Sequence, residues 1–417
     1  MPLRFRRLYA FPLIFLVLVP IGFSAGEPDF VDVLYLCRAS TWESGRRDLI
    51  LSSDPSINIL GVQTVGAHAI WQGAIDPSAV NRRLRIYMPR TYEQLVEERD
   101  LLILHDAPHS HPLQPEVRLD LRWLNWWVDA VVEDGMALSM WGGDASWGGQ
   151  GEQDNPSWGE TVLEPILPFE CLPAYNPSIP KALSPDFMDE DHPLATLQWA
   201  SAPPIAVLNK VLLKQGADLV AEATLGKERY PWLAWWNQGN GRVVGETQVF
   251  SSLGGGARMR LEWDWWQDFV IYLAYFGAGK KIPEDIYKAH RIREEINTYI
   301  SKASLMVSLL EFIEKFGIST VDLYLEMESI HEVKEQAEEL FRQDDYDGAA
   351  EIFEDVNAAW GELNVRAIRV KENALVWVYL IEWLVVTSVA IMAGSLVWAL
   401  MIKRRYYREI STTRTGR

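Results

Sequence analysis

Residues 383–402 read WLVVTSVAIMAGSLVWALMI, twenty positions without a charged side chain. A run of this length spans about 30 Å as a helix, the thickness of a bilayer's hydrocarbon core, and only a helix or a closed barrel satisfies the backbone there. The sequence therefore predicts one transmembrane helix, assigned to residues 375–402, with Glu382 at the outer interface. Lys403, Arg404 and Arg405 follow at once. By the positive-inside rule the basic tail, residues 403–417, is cytoplasmic and the bulk of the chain is extracytoplasmic.

The N-terminal residues carry the matching address. Arg4, Arg6 and Arg7 precede an apolar run from Leu8 to Phe23 and the small residues Ser24, Ala25 and Gly26. This is the three-part plan of a signal peptide over residues 1–26, with an uncleaved anchor as the alternative. The expectation is a single-pass protein of the cell membrane.

Charge excludes one class of partner. The chain has a formal charge of −18, and the three arginines before residue 27 and a net +5 after residue 402 leave −26 on residues 27–402. Such an ectodomain repels phosphate backbones, so no nucleic-acid role is expected. Only Cys37 and Cys171 occur. Outside the cytoplasm they are candidates for a disulfide, although sequence does not say whether they lie within bridging distance.

Residues 27–280 read as one α/β domain. VDVLYL (Val31 to Leu36), INILGV (Ile57 to Val62), LLILHD (Leu101 to Asp106) and MALSMW (Met136 to Trp141) are short continuous apolar runs. That pattern suits parallel strands covered on both faces. Between the last two, Leu121, Leu124, Trp127, Val128 and Val131 recur at helical spacing before Gly135. Strand, helix, strand predicts a right-handed crossover and a doubly wound, mainly parallel sheet. WLAWWNQGNGRVVGETQVF predicts a hairpin turning at Gly239, Asn240 and Gly241, and a tryptophan-rich helix follows over Trp263 to Phe276.

From residue 281 the composition changes to long charged helices, a stalk over residues 281–374. Ala337 to Phe353 resembles one hairpin of a tetratricopeptide repeat, but no copy recurs, so a stalk hairpin is the reading. The same break admits a calcium loop through Asp345, Asp347, Gly348, Glu351 and Glu354. Its first position would be Gln343, which lacks the required carboxylate, so a solvated acidic turn competes with it.

The stretch MWGGDASWGG, Met140 to Gly149, lies at the C-terminal end of the predicted fourth strand, where open α/β sheets hold ligands. DGMALSMWGGDASWGG followed by WGETVLEPILP, together with DHPL and the hairpin ending in GRVVGETQ, resembles the putative glutamine amidotransferase family. That family is a branch of class I amidotransferase-like domains with a flavodoxin-like sheet, and the resemblance covers roughly Val31 to Gly279. It implies a G-x-C-x-G elbow in which a thiolate attacks and backbone N–H groups hold the oxyanion. Here the frame is Gly142, Gly143, Asp144, Ala145, Ser146, with Asp144 in the nucleophile's place. Shifting to Ser146 loses the first glycine of a hydrolase elbow. The family's H-x-E is absent, because the corresponding region reads GETQVFSSLGGG.

The resemblance thus implies a fold without its glutaminase set. Asp144 and Ser146 remain weak catalytic candidates, and Gly142, Gly143, Asp144, Ser146, Trp147 and His105 are the expected ligand contacts. His105, His109 and His111 admit a metal, although their spacing matches no standard site. Trp141, Trp147 and Trp158 bracket the loop and would either pack in the core or rim a pocket for a sugar or peptide side chain. No motif calls for a cofactor. The leading expectation is a membrane-anchored module that binds a small molecule, a glycan, a protein partner or its own copies. The rivals are an extracytoplasmic hydrolase of glycans or amides, working through His105, Asp144 or Ser146, and a structural envelope component without a ligand.

Overall fold

The computed structural model describes residues 30–38, 50–64, 77–110, 118–149, 157–172, 179–249 and 256–413. The signal segment, His111 and residues 414–417 lie outside this set. Four apolar runs form the expected strands: β1 (Val31–Arg38), β2 (Ile57–Thr64), β3 (Leu101–His105) and β4 (Ala137–Trp141). Helices α1 (Pro77–Tyr87) and α2 (Tyr92–Glu98) lie between β2 and β3. Helix α3 (Leu121–Asp129) is capped by the Asp120 carboxylate, which accepts from Arg122 N. It relaxes into a π turn over Ala130–Asp134 and stops at Gly135, whose φ of 83° favours glycine.

Alternation along the strands explains why they are apolar on both faces. Val33 and Tyr35 of β1, with Leu101 and Ile103 of β3, pack under helix α5 (Trp266–Ala278). Their neighbours Leu34, Leu36, Leu102 and Leu104 face α1, α2 and α3 on the other side. The sheet is thus the middle of three layers.

The sheet is mixed, which corrects the mainly parallel expectation. Its order is β2-β1-β3-β4-β11-β10-β9-β6-β7, and only β2, β1, β3, β4 and β11 (Gly241–Glu246) are mutually parallel. That half keeps the flavodoxin-like order. The other half, β6 (Ile179–Phe187), β7 (Ile205–Leu208), β9 (Asp218–Leu225) and β10 (Glu228–Gln238), is antiparallel. Turn length accounts for two of these reversals: β9 to β10 and β10 to β11 each have two linking residues, and a parallel neighbour needs a long crossover. Gly239 in the second turn has φ 59°, and a Cβ there would lie 2.1 Å from Val132 O. Two short strands, β5 (Phe169–Cys171) and β8 (Val211–Leu213), pair separately.

After α4 (Gly256–Glu262) and α5, three long helices follow: α6 (Ile286–Glu314), α7 (Val321–Arg342) and α8 (Tyr346–Thr413). They share a third apolar core that includes Tyr299, Leu310, Phe341, Phe353 and Trp360. The calcium-loop positions do not form a loop. Asp345 accepts from Gly348 N at 3.0 Å as a helix cap, Asp347 pairs with Lys288 at 2.8 Å, and the residues from Tyr346 onward are helical. Helix α8 runs unbroken for 68 residues, and its apolar stretch is the one helical segment among the described residues long and apolar enough to cross a membrane. None of that stretch is buried.

Arg293 on α6 joins the long helices to the α/β layers. Its guanidinium donates to Asp54 Oδ2 at 2.8 Å, to Asp268 Oδ1 at 2.7 Å and to the Tyr272 hydroxyl at 3.0 Å. All three charged groups are at most 1% exposed.

Candidate functional site

Because β1, β3, β4 and β11 run in one direction, Arg38, His105, Trp141 and Glu246 end at one edge of the sheet. The register aligns Cys37 with His105 and His105 with Trp141. The Tyr35 hydroxyl and His105 Nδ1 are 2.5 Å apart, and both rings lie about a ring's width from the Trp141 indole, at 6.2 and 6.0 Å between centroids.

The glycine loop closes over this edge. Asp106 leaves β3 with φ 49°, and Gly143 passes so close that a Cβ would lie 2.3 Å from the Asp106 Cβ. Only glycine fits that crossing. Asp106 Oδ1 then accepts from Ala145 N at 2.6 Å. Gly143 N donates to Asn209 Oδ1 at 3.0 Å, and the Asn209 amide donates back to Gly143 O at 2.9 Å. Gly142 N donates to Glu246 Oε2 at 3.2 Å. Three backbone N–H groups around the expected elbow are therefore already occupied by side-chain acceptors.

Ser146 is equally committed. Its hydroxyl donates to Trp141 O at 2.6 Å and accepts from Asp106 N at 3.1 Å, and the residue is buried. A hydroxyl locked onto a backbone carbonyl has no base to take its proton. Asp144 is different: it is the half-buried member of an otherwise buried loop.

The tryptophans resolve to packing, not to a pocket rim. Trp141, Trp147 and Trp158 are fully buried. Trp147, with φ 55°, donates from its indole to Glu246 O at 3.1 Å, and Trp158 donates to Ala107 O and Ala145 O. Their indole N–H groups thus tie the loop to the strand ends.

The histidines do not converge. His105 faces Tyr35 and Trp141 in the core under α5, whereas His109 stacks edge-on against Trp158 in the opposite core and bonds Ser157 O through Nε2 at 3.1 Å. Burial lowers the His109 pKa. Among the described residues no group of three or more His, Cys, Asp or Glu is placed to hold a metal ion. The cysteines are likewise separated by the sheet, Cys37 in the core under α5 and Cys171 in the core under α3, and no disulfide joins them. Burial, with Glu164 nearby, pushes the Cys171 thiol up to about 12.

The sequence did not single out Glu246 or Gln248. Glu246 is fully buried, with Oε1 accepting from Trp232 Nε1 at 3.0 Å and Gln248 N at 2.6 Å. Gln248 donates its amide to the Met259 sulfur, and its Oε1 is buried without a hydrogen-bond partner. The available signal was an acid ending an apolar strand, GRVVGE, where acids are rarely buried unpaired.

Residues 87–271 match the family described as Putative glutamine amidotransferase. They form a glutamine amidotransferase-like domain. Among solved structures the chain is similar to a cytoplasmic protein from Salmonella typhimurium LT2, at 19% identity and a TM-score of 0.45, covering 60% of this chain and 100% of that one. A second cytoplasmic protein from Salmonella typhimurium gives 16% and 0.44, covering 58% and 98%. A ThuA-like protein from Parabacteroides merdae gives 12% and 0.34, covering 61% and 94%. No curated protein matches. In the amidotransferase-like domain, the elbow position itself holds Asp144 and its surrounding donors are spent inside the fold.

Proposed function

We propose that the amidotransferase-like domain is a membrane-anchored extracytoplasmic binding or assembly module that does not hydrolyse glutamine. The observation that carries the reading is the occupied elbow. Glu246, Asn209 and Asp106 take the N–H groups of Gly142, Gly143 and Ala145. An oxyanion would have to displace a carboxylate or an amide, and Asp144 has no thiolate to generate one. Binding at the same edge is supported by the partly exposed Asp144 and by the orphaned Gln248 Oε1.

The membrane part rests on the exposed apolar stretch of α8 and on Lys403, Arg404 and Arg405 after it. The hydrolase rival is weaker, because the Ser146 hydroxyl is donated to Trp141 O and the Nδ1 of His105 is engaged by Tyr35.

Two assays on the full chain test this. Intact spheroplasts treated with protease should lose the α/β domain while the tail beyond residue 402 stays protected; the opposite pattern would reverse the orientation. Purified protein should release no ammonia from glutamine. Release that disappears in Asp144→Ala would overturn the binding reading.

A further inference from the structure

The turn that joins α6 to α7 carries apolar side chains that the three long helices leave uncovered. Phe312 is 40% exposed, Val321 60% and Leu325 59%, and the Phe312 and Phe316 rings meet edge to face at 4.9 Å between centroids. Gly317, with φ 75°, closes the turn by donating its N–H to Glu314 O at 2.8 Å, and Ile318 follows it half-buried. Single exposed apolar residues are ordinary, but here they gather at one end of a helical bundle. The helices fix where that end lies. Lys302 of α6 donates to Asn357 of α8 at 2.7 Å across 55 residues of sequence, and the two helices run parallel, so Phe316 comes level with about residue 371. Glu326 of the antiparallel α7 pairs with Arg366, which sets Val321 level with about residue 371 as well. Residue 375, where the predicted span begins, lies about 6 Å further along α8. Ala374 is 1% exposed and Leu375 half-buried, so the bundle covers one face of α8 down to that point, whereas Val376, Trp377 and Tyr379 are exposed. The apolar tip and the apolar span therefore adjoin.

Resting on the membrane-anchored reading above, we propose that the α6–α7 turn is a second membrane contact. Phe316, Ile318 and Val321 enter the headgroup layer of the outer leaflet, with Phe312 and Leu325 one turn behind and the Lys315 ammonium reaching the phosphates. Val376 to Ile402, apolar but for Glu382, is about 40 Å long as a helix against about 30 Å of hydrocarbon, and a span with that excess tilts. A tilt toward α6 and α7 lowers the tip onto the surface, and the contact then fixes the direction of the tilt. Glu311, Glu314 and Asp322 outnumber Lys315 around the turn, so the surface it fits is a zwitterionic phospholipid and not an anionic one.

The test uses the full chain in phosphatidylcholine nanodiscs, where Cys37 and Cys171 are buried and an added surface cysteine takes a nitrobenzoxadiazole label. Lipid carrying a nitroxide on its choline quenches a label at the headgroups. Labels on Val321→Cys and Lys315→Cys should be quenched about threefold more than one on Leu305→Cys, an exposed position further from the span on α6. Val321→Asp should remove the quenching at Lys315→Cys with circular dichroism and melting unchanged, since an acid in the first turn of α7 suits the helix dipole. A label on Val389→Cys, read with nitroxide on the acyl chain, reports the anchor itself. Quenching there without quenching at positions 315 and 321 overturns the second contact and leaves the anchor standing. No quenching at position 389 overturns the anchor and the proposal together. Discs holding one chain should behave as discs holding two, and a tip shielded only in two-chain discs would make it an interface between copies instead. Phosphatidylglycerol in place of phosphatidylcholine should weaken the tip's quenching about twofold, and a stronger signal would overturn the zwitterionic assignment.

Discussion

At the level of single residues, Glu246 decides how the strand edge is built. Its carboxylate gathers N–H groups from Gly142, Trp232 and Gln248, three positions far apart in the chain. Glu246→Gln keeps the shape but turns one acceptor into a donor facing other donors, and should destabilise the domain by about 2 kcal/mol in urea unfolding. No measurable loss would mean that the three bonds are not made. Gly143→Ala should cost a comparable amount, roughly 1–3 kcal/mol, because the new methyl meets the Asp106 side chain and the backbone must shift. Cys171, with its thiol pushed up to about 12, should not react with a thiol reagent at pH 8 until the protein unfolds. Fast labelling of the native protein at Cys171 would contradict its burial.

Among the elements, the β10–β11 hairpin shows what could be read in advance and what could not. The apolar runs of β1 to β4 were legible because strands covered on both faces leave a continuous apolar signature, and the helix before Gly135 because its stripe is periodic. The Gly239 turn was legible from its glycines, and Gly239→Ala should cost about 1 kcal/mol or more in thermal unfolding, with φ 59° and Val132 O in the way. A stability unchanged by this substitution would mean the turn is not left-handed. The antiparallel half of the sheet was not legible, since β6, β7 and β9 carry mixed patterns and their order depends on pairings across the sheet. The occupied elbow was half legible. Asp144 in the nucleophile's frame is a statement about sequence, but the acceptors on Gly142, Gly143 and Ala145 come from Glu246, Asn209 and Asp106, which no local spacing connects. Trp147 and Trp158 stayed open between core and rim for the same reason, because a tryptophan beside a glycine loop reads alike whether it rims a pocket or plugs it.

For the molecule as a whole, the junction between the amidotransferase-like domain and the long helices that follow it is an electrostatic lock. Arg293 bridges Asp54 and Asp268, and His290 bonds Asp268 Oδ2 through Nδ1 at 2.6 Å while stacking on Trp265. Removing the arginine in Arg293→Met would strand two buried carboxylates and should destabilise the docked state by roughly 3–5 kcal/mol. The His290 pKa is raised above its ordinary 6.5, first by the bond to Asp268, against the desolvation of burial. A raised folded-state pKa stabilises fully below the unfolded value and loses its effect as pH climbs through the folded value. Unfolding midpoints should therefore fall more from pH 5.5 to 8.5 in the wild type than in His290→Gln, and parallel curves would contradict the pairing. The elbow is closed by its own side chains as well as lacking its nucleophile. The most direct measurement of that closure is ammonia release from glutamine by Asp144→Cys, which restores the thiol in the family's frame. No turnover above the wild type is expected, because Glu246, Asn209 and Asp106 still hold the N–H groups an oxyanion needs. Glutamine-dependent turnover by that variant would show that the site is an amidotransferase awaiting only its cysteine.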